Sequence, residues 1–197
     1  MTTFLLVRHA AHDWLGRGFA GRLPGVSLNA EGQRQAAALV DRLAAFPLDA
    51  IHSSPQQRTR ETAEPIAAAR GLPVRVEPGV DEIDFGAWTG RTFDEVRGDP
   101  AWTPWVERRG SARPPGGERF ADVPRRAMEA LQRLAQGHPQ GHVLVVSHAD
   151  VLKAVVAQVL GFPLDRLEQF DIAPASLTLL ELGAGWQKLR LLNAPAS

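Results

Sequence analysis

The chain contains no cysteine, which excludes disulfides, thiolate nucleophiles and cysteine-ligated zinc or iron–sulfur centres. It has no excess charge of either sign: 22 Lys and Arg stand against 22 Asp and Glu. No overall field therefore draws it to nucleic acid or to anionic lipid. Long hydrophobic runs are missing too. The first apolar run, Phe4-Leu5-Leu6-Val7, is too short for a secretion signal or a bilayer span, and no cleavage-like site follows it. No nucleic-acid or membrane partner is expected, and the expected compartment is the cytoplasm. Lysine is scarce: only Lys153 and Lys188 occur, and the remaining positive charge is arginine. Arginine is the better bidentate partner for phosphate.

What is present suits one globular domain, because 197 residues with 44% hydrophobic content can bury a substantial core. Phe4 to Val7 reads as a buried strand, followed by a glycine-rich loop over residues 11–26. Asn29 is placed to cap a helix over about residues 30–45, with Ala36, Leu39, Val40 and Leu43 at helical spacing. A short strand over 49–53 precedes Ser54-Pro55, which reads as the N-cap and first position of a helix reaching Arg70. Val74-Arg75-Val76 is a third strand.

The segment from about 81 to 117 is irregular and carries Trp88, Trp102 and Trp105. It reads as a cap-like insertion over a site, with a capping box at Thr92 to Glu95. A helix over 122–136 ending at Gly137, a strand over 142–147 and a helix over 151–160 follow. Strands over 177–182 and 186–192 then read as a hairpin. Strands alternating with helices imply an α/β fold, a three-layer sandwich around a mostly parallel sheet.

Two of the strands end alike. Leu5-Leu6-Val7-Arg8-His9 and Leu144-Val145-Val146-Ser147-His148 each release a histidine at the carboxyl end of an apolar run. That edge is where open α/β sheets meet their ligands. If the strands are parallel neighbours, both imidazoles face one pocket. Arg58, in the first turn of the helix after another strand, points to the same place. Two arginines, two histidines and a helix N-terminus suit a phosphate dianion. Histidine can act as a nucleophile towards phosphorus, and Asp81-Glu82-Ile83-Asp84 supplies candidate acids.

These residues carry a family resemblance. Leu6-Val7-Arg8-His9-Ala10 resembles the opening signature of the histidine phosphatase superfamily, the phosphoglycerate mutase-like fold. Ser54-Pro55-Gln56-Gln57-Arg58-Thr59-Arg60-Glu61-Thr62-Ala63 is similar to its second signature, Glu82 to Gly90 to its acid segment, and Val146-Ser147-His148-Ala149 to its last. The resemblance implies the phosphatase branch and a histidine acid phosphatase-type enzyme. His9 would be the phosphorylated nucleophile, Arg8, Arg58 and His148 the phosphate clamp, and Glu82 the proton donor and later the base. Ala10, Leu15, Gly21 and Arg22 are the expected substrate-binding residues. No metal or cofactor is implied, the expected partner is a small phosphorylated metabolite, and a homodimer is the assembly considered.

The chain departs from the family pattern at three places. Ala10 stands where glycine is commoner, Leu15 where asparagine often occurs, and Asp150 where many relatives have glycine. Ala10 should be tolerated at an ordinary backbone angle, and Asp150 is expected to cap the helix beginning at Val151. Arg108-Arg109 resembles a mutase substrate clamp but reads as a solvated charge pair. His52 is expected to pack within its strand. The competing functions are a cofactor-dependent phosphoglycerate mutase and a non-catalytic module that binds phosphate ligands. A third is a metal hydrolase using His9, His12, His148 and Asp150.

Overall fold

The computed structural model describes residues 1–195. Six strands form one sheet. In chain order they are β1 (Thr2–Arg8), β3 (Ala50–Ser53), β4 (Val74–Val76), β6 (His142–Ser147), β7 (Leu177–Gly183) and β8 (Trp186–Ala194). They lie in the order β4-β3-β6-β1-β7-β8. The first four are parallel, and the β7–β8 hairpin adds an antiparallel edge. β1 and β6 are adjacent, in a register that sets Arg8 opposite Ser147. The two histidine-bearing strand ends are therefore side by side.

The uninterrupted aliphatic runs of β1 and β6 follow from helices covering both faces of the sheet. Alternate residues leave the strand on opposite sides. Leu5, Val7, Leu144 and Val146 pack with Leu39 and Leu43 of the α1 side (helix Ala30–Arg42) and Ile66 of α2 (Gln57–Arg70). Phe4, Leu6, Val143 and Val145 pack with Ala127 and Leu131 of α5 (Asp122–Gly137) and Val151 and Val155 of α6 (Ala149–Leu160). The result is the expected three layers. No helix among the described residues is long and apolar enough to cross a membrane.

Asn29 caps α1 through Gly32 N–H, at 2.9 Å, as its position predicts. The expected start of α2 is wrong. The helix begins at Gln57 after Gln56, and Ser54 is not its cap. The Ser54 hydroxyl donates to the Asp81 carboxylate and bonds the His148 ring, and it accepts the Gln56 N–H at 3.3 Å just ahead of the helix. α6 begins earlier than expected, at Ala149, with His148 as the residue before it. Gly137 is the last residue of α5, and His138 follows it as the C-cap.

The loop over 11–26 contains a further short strand, β2 (Gly18–Phe19), paired with β5 (Arg91–Thr92). Gly18 permits this pairing: a Cβ there would lie 2.2 Å from the Arg91 carbonyl oxygen. Next to β5 comes α3 (Phe93–Val96), opened by the expected Thr92–Glu95 capping box, and then α4 (Trp102–Glu107). Phe19 sits amid Phe85, Trp88, Phe93, Trp102 and Trp105, with ring centroids 4.6 to 6.3 Å away. These aromatics join the core that also contains Phe4 and α5. The segment over 81–117 is anchored as a wall above the sheet edge.

Candidate active site

A cleft of about 480 Å³ opens at the carboxyl edge of the parallel strands. Arg8 and His9 reach it from the end of β1, Arg58 from the first turn of α2, and Glu82 from the segment after β4. His148, fully buried after β6, lies behind them, its ring centroid 5.2 Å from that of His9. The parallel pairing sets this spacing, since His9 N–H donates to the Ser147 carbonyl at 2.9 Å.

Hydrogen bonding determines what each group can do. His9 Nδ1 lies 2.9 Å from the Ala10 carbonyl, an acceptor only. The proton therefore sits on Nδ1, and Nε2 keeps its lone pair. Burial holds the His9 pKa well below 6.5, and Arg58, Arg8 and His12 lower it further. The ring is neutral and able to act as a nucleophile at neutral pH.

Around it are donors without partners. Arg58 is 1% exposed and uses Nη2 on the Gly21 carbonyl at 2.7 Å, while its Nε and Nη1 are buried and unpaired. Arg8 uses Nη1 on the Ile172 carbonyl and leaves Nε unpaired. Buried N–H groups without acceptors are costly, and an anion among them removes the cost. The N-terminal end of α2 adds its positive dipole end.

Glu82 is the titratable group that faces this cradle. Its Oε2 lies 3.4 Å from His148 Nδ1 and 3.7 Å from Arg58. Burial raises its pKa to about 7, with Asp150 and Asp81 pushing the same way, against the opposing pull of Arg58 and the Ile83 N–H. A carboxyl group near that value can both give and take a proton at neutral pH. Its segment is held firmly: the Glu82 carbonyl accepts from Arg22 Nε at 2.8 Å, and its N–H donates to Asp81 at 2.8 Å.

Of the four expected substrate contacts, Leu15 and Gly21 line the cleft. Ala10 and Arg22 do not, which corrects the expectation for both. Ala10 is fully buried, its N–H donating to Thr62 Oγ1 and its carbonyl bonding the His9 ring. It does not have a positive φ, so the departure from glycine introduces no strain. Arg22 turns behind the acid segment, to the Glu82 carbonyl, Asp81 and Glu118, where two carboxylates outcompete an open cleft.

Three more residues line the cleft: Arg109 and His12, which the sequence reading weighed but did not assign to the phosphate site, and Lys153, to which it gave no role. Arg109, read as solvated, has a side chain only 11% exposed. It lies over the Trp105 ring at 4.4 Å and pairs with Asp150 and Glu168. Asp150 therefore serves an ion pair within the first turn of α6 and does not cap it. Lys153, one turn further along α6, also lines the cleft, with Asp171 and Glu168 as partners. Its rarity in an arginine-rich chain was the only available signal. His12 stacks 4.9 Å from His9, accepts the Trp14 N–H at Nδ1, and so carries its proton on Nε2. Burial and the two arginines lower its pKa to about 4.

His52 is buried with both ring nitrogens unpaired, as a strand-packed residue would be. Among the described residues, no group of three or more histidine, aspartate or glutamate side chains is arranged to hold a metal ion.

The chain is similar to several known proteins. It is 34% identical over 184 residues to phosphoserine phosphatase 1 of Hydrogenobacter thermophilus, covering 92% of this chain and 87% of that one. With adenosylcobalamin/alpha-ribazole phosphatase of Escherichia coli it shares 28% identity over 180 residues, 90% of this chain and 88% of the other. Three longer mycobacterial relatives are 37% identical over 198 residues, and the chain spans 54% of their length. The solved structure of Bacillus stearothermophilus YhfR superposes with a TM-score of 0.93 at 33% identity, over 98% of both chains. The model of the histidine phosphatase superfamily (branch 1) matches residues 4–195, and with the paired histidines and the arginine cradle in place, the chain belongs to that superfamily.

Proposed function

We propose that this protein is a phosphomonoester hydrolase that works through a phosphohistidine at His9, on a small phosphorylated metabolite. The observation that carries the reading is the set of unpaired buried donors, Arg58 Nε and Nη1 and Arg8 Nε, gathered beside a neutral histidine. They neutralise the equatorial oxygens of a phosphoryl group, while the substrate oxygen leaves opposite the attacking nitrogen.

In the first step His9 Nε2 forms a bond to phosphorus as the P–O bond to the alcohol breaks. Protonated Glu82 gives its proton to the departing oxygen. In the second step a water attacks the phosphohistidine, Glu82 takes a proton from that water, and the N–P bond breaks. Phosphate leaves, with His9 and Glu82 restored. This is chemistry of the histidine acid phosphatase type, since it begins from the protonated carboxyl group. The absence of cysteine fits a cytoplasmic setting. The names of the relatives, phosphoserine and α-ribazole phosphatases among them, support a small metabolite.

The test is a chemical trap. A radiolabelled phosphomonoester mixed with the protein and quenched in base should leave acid-labile, base-stable label, and His9→Ala should leave none. Label that persists in His9→Ala would sink the reading. Activity abolished by a chelator and restored by a metal would favour the metal hydrolase instead.

A further inference from the structure

One carboxylate lies behind both Glu82 and His148. Asp81 is 8% exposed, accepts three hydrogen bonds and pairs with the Arg22 guanidinium. Its Oδ1 accepts from Ser54 Oγ at 3.0 Å, Gln56 Nε2 at 2.9 Å and Glu82 N at 2.8 Å, and its Oδ2 lies 3.2 Å from Arg22 Nε. With its oxygens so engaged, Asp81 acts as an acceptor, and the single Ser54 proton is directed to it.

The consequence runs along the hydrogen bonds. Ser54 and His148 are both completely buried, and Ser54 Oγ lies 2.8 Å from His148 Nε2. A hydroxyl has one proton. With that proton committed to Asp81, Ser54 Oγ can only accept from the ring, so His148 carries its proton on Nε2. The other ring nitrogen, Nδ1, then faces Arg58 Nη2 at 3.2 Å and Glu82 Oε2 at 3.4 Å with its lone pair free to accept.

We infer that Ser54 and Asp81 are positioning residues that hold His148 in its Nε2–H form, aiming Nδ1 at the phosphoryl site and at Glu82. The inference rests on the phosphatase reading for its catalytic consequence. His148 can hold a phosphoryl oxygen through Nδ1 only with a proton between them. That proton is the one a phosphomonoester monoanion brings on its own oxygen, which donates to the free Nδ1 lone pair. The Nε2 side is already occupied by a hydrogen-bonded proton whose acceptor, Ser54, is backed by a carboxylate. The ring therefore needs no rotation or tautomer exchange when the substrate arrives. Histidine ligands oriented by a carboxylate elsewhere in proteins follow the same logic of fixing one ring nitrogen through the partner of the other. The Ser54 position also explains why α2 lacks a serine cap: the hydroxyl is required across the sheet edge.

The decisive experiment reads the ring directly and then the rates. Nitrogen-15 histidine-labelled full-length protein should show His148 protonated on Nε2 alone in the free state. Ser54→Ala, which removes one oxygen from a buried site, and Asp81→Asn, whose amide can donate to Ser54 and reverse its hydroxyl, should each populate the Nδ1–H form. With p-nitrophenyl phosphate as substrate, each variant should lose about tenfold to a hundredfold in kcat, with KM changed much less. Because the two residues act in one chain, the double variant should be no worse than the worse single one.

A wild-type ring protonated on Nδ1 would overturn the inference. So would an unchanged tautomer in both variants, or losses that multiply in the double variant. The tautomer is read without turnover, so its failure is distinct from an absence of phosphatase activity, which would overturn the parent reading alone.

Discussion

At the scale of single residues, the chemistry depends on protonation states set by burial. Glu82 is the clearest case, because its pKa of about 7 is raised mainly by desolvation and held in check by Arg58. As a general acid it must start protonated, so kcat/KM should fall as pH rises through about 7, and Glu82→Gln should abolish that limb of the profile. The same variant should slow esters of poor leaving groups, such as alkyl phosphates, by about 10²–10⁴-fold. For p-nitrophenyl phosphate, whose leaving group needs little protonation, the loss should be far smaller. Equal losses on both substrates, measured by phosphate release, would remove Glu82 from the role of acid. His9 is tuned in the opposite direction: burial and two guanidinium groups keep it unprotonated, so the nucleophile and the acid reach complementary states at the same pH.

At the scale of elements, the acid segment owes its position to a tight backbone crossing. Gly86 has φ +52°, and a Cβ there would lie 2.3 Å from the Pro115 carbonyl oxygen and 2.4 Å from Gly117 N. Gly117 is pressed equally close, with a Cβ position 2.4 Å from the Asp84 carbonyl. Backbone hydrogen bonds from Ala87 to Pro115 and from Glu118 to Asp84, both 2.8 Å, fasten the crossing. Gly86→Ala therefore meets backbone at a φ that side chains rarely adopt, and should cost about 1–3 kcal/mol of stability. Urea denaturation measures this loss. Because the displaced strand of chain carries Glu82, kcat should fall while the phosphate-binding side of the cradle, built on β1 and α2, remains. An unchanged denaturation midpoint would show that the crossing is looser than its distances imply.

At the scale of the whole molecule, folding traps neutral histidines. His9, His12, His52 and His148 all have pKa values lowered from 6.5, with burial the largest cause in each. The unfolded chain takes up protons on these rings below about 6.5 where the folded chain does not, so stability falls as pH drops through that range. Glu82 acts in the opposite sense. Its folded pKa of about 7 exceeds 4.5, so the native state binds the extra proton between those values and gains stability as pH falls from 7 to 4.5. Four groups against one predicts a net loss: the urea midpoint should be lower at pH 5 than at pH 7.5. Replacing the unpaired His52 ring, which does not line the cleft, with phenylalanine should reduce the difference without changing its sign. A midpoint higher at pH 5 would mean that the rings protonate within the fold.

The sequence by itself determined the order of the six sheet strands and of α1, α2, α5 and α6, and the pair of strand-end histidines, but not β2, β5 or α4. It also singled out Arg8 and Arg58, because strand alternation, helical spacing and a polar residue ending an apolar run are properties of neighbouring residues. Glu82 was one of three candidate acids over residues 81–84 until the family resemblance chose it, and Arg8, Arg58 and Glu82 line the cleft. The α1 cap at Asn29 and the Thr92–Glu95 capping box were legible for the same reason. Where a side chain had a choice of partners, local pattern was insufficient. Ser54 before Pro55 has every mark of a helix cap, yet its hydroxyl bonds residues 27 and 94 positions away. Arg108 and Arg109 are indistinguishable as a charge pair, but only Arg109 turns over Trp105 to line the cleft. Arg22 was placed at the substrate and is drawn instead to the acids behind it. Those outcomes depend on sheet register and on competition among distant donors and acceptors. Tertiary structure alone decided them, because hydrogen-bond partners are assigned only when the strand ends have been brought to one edge.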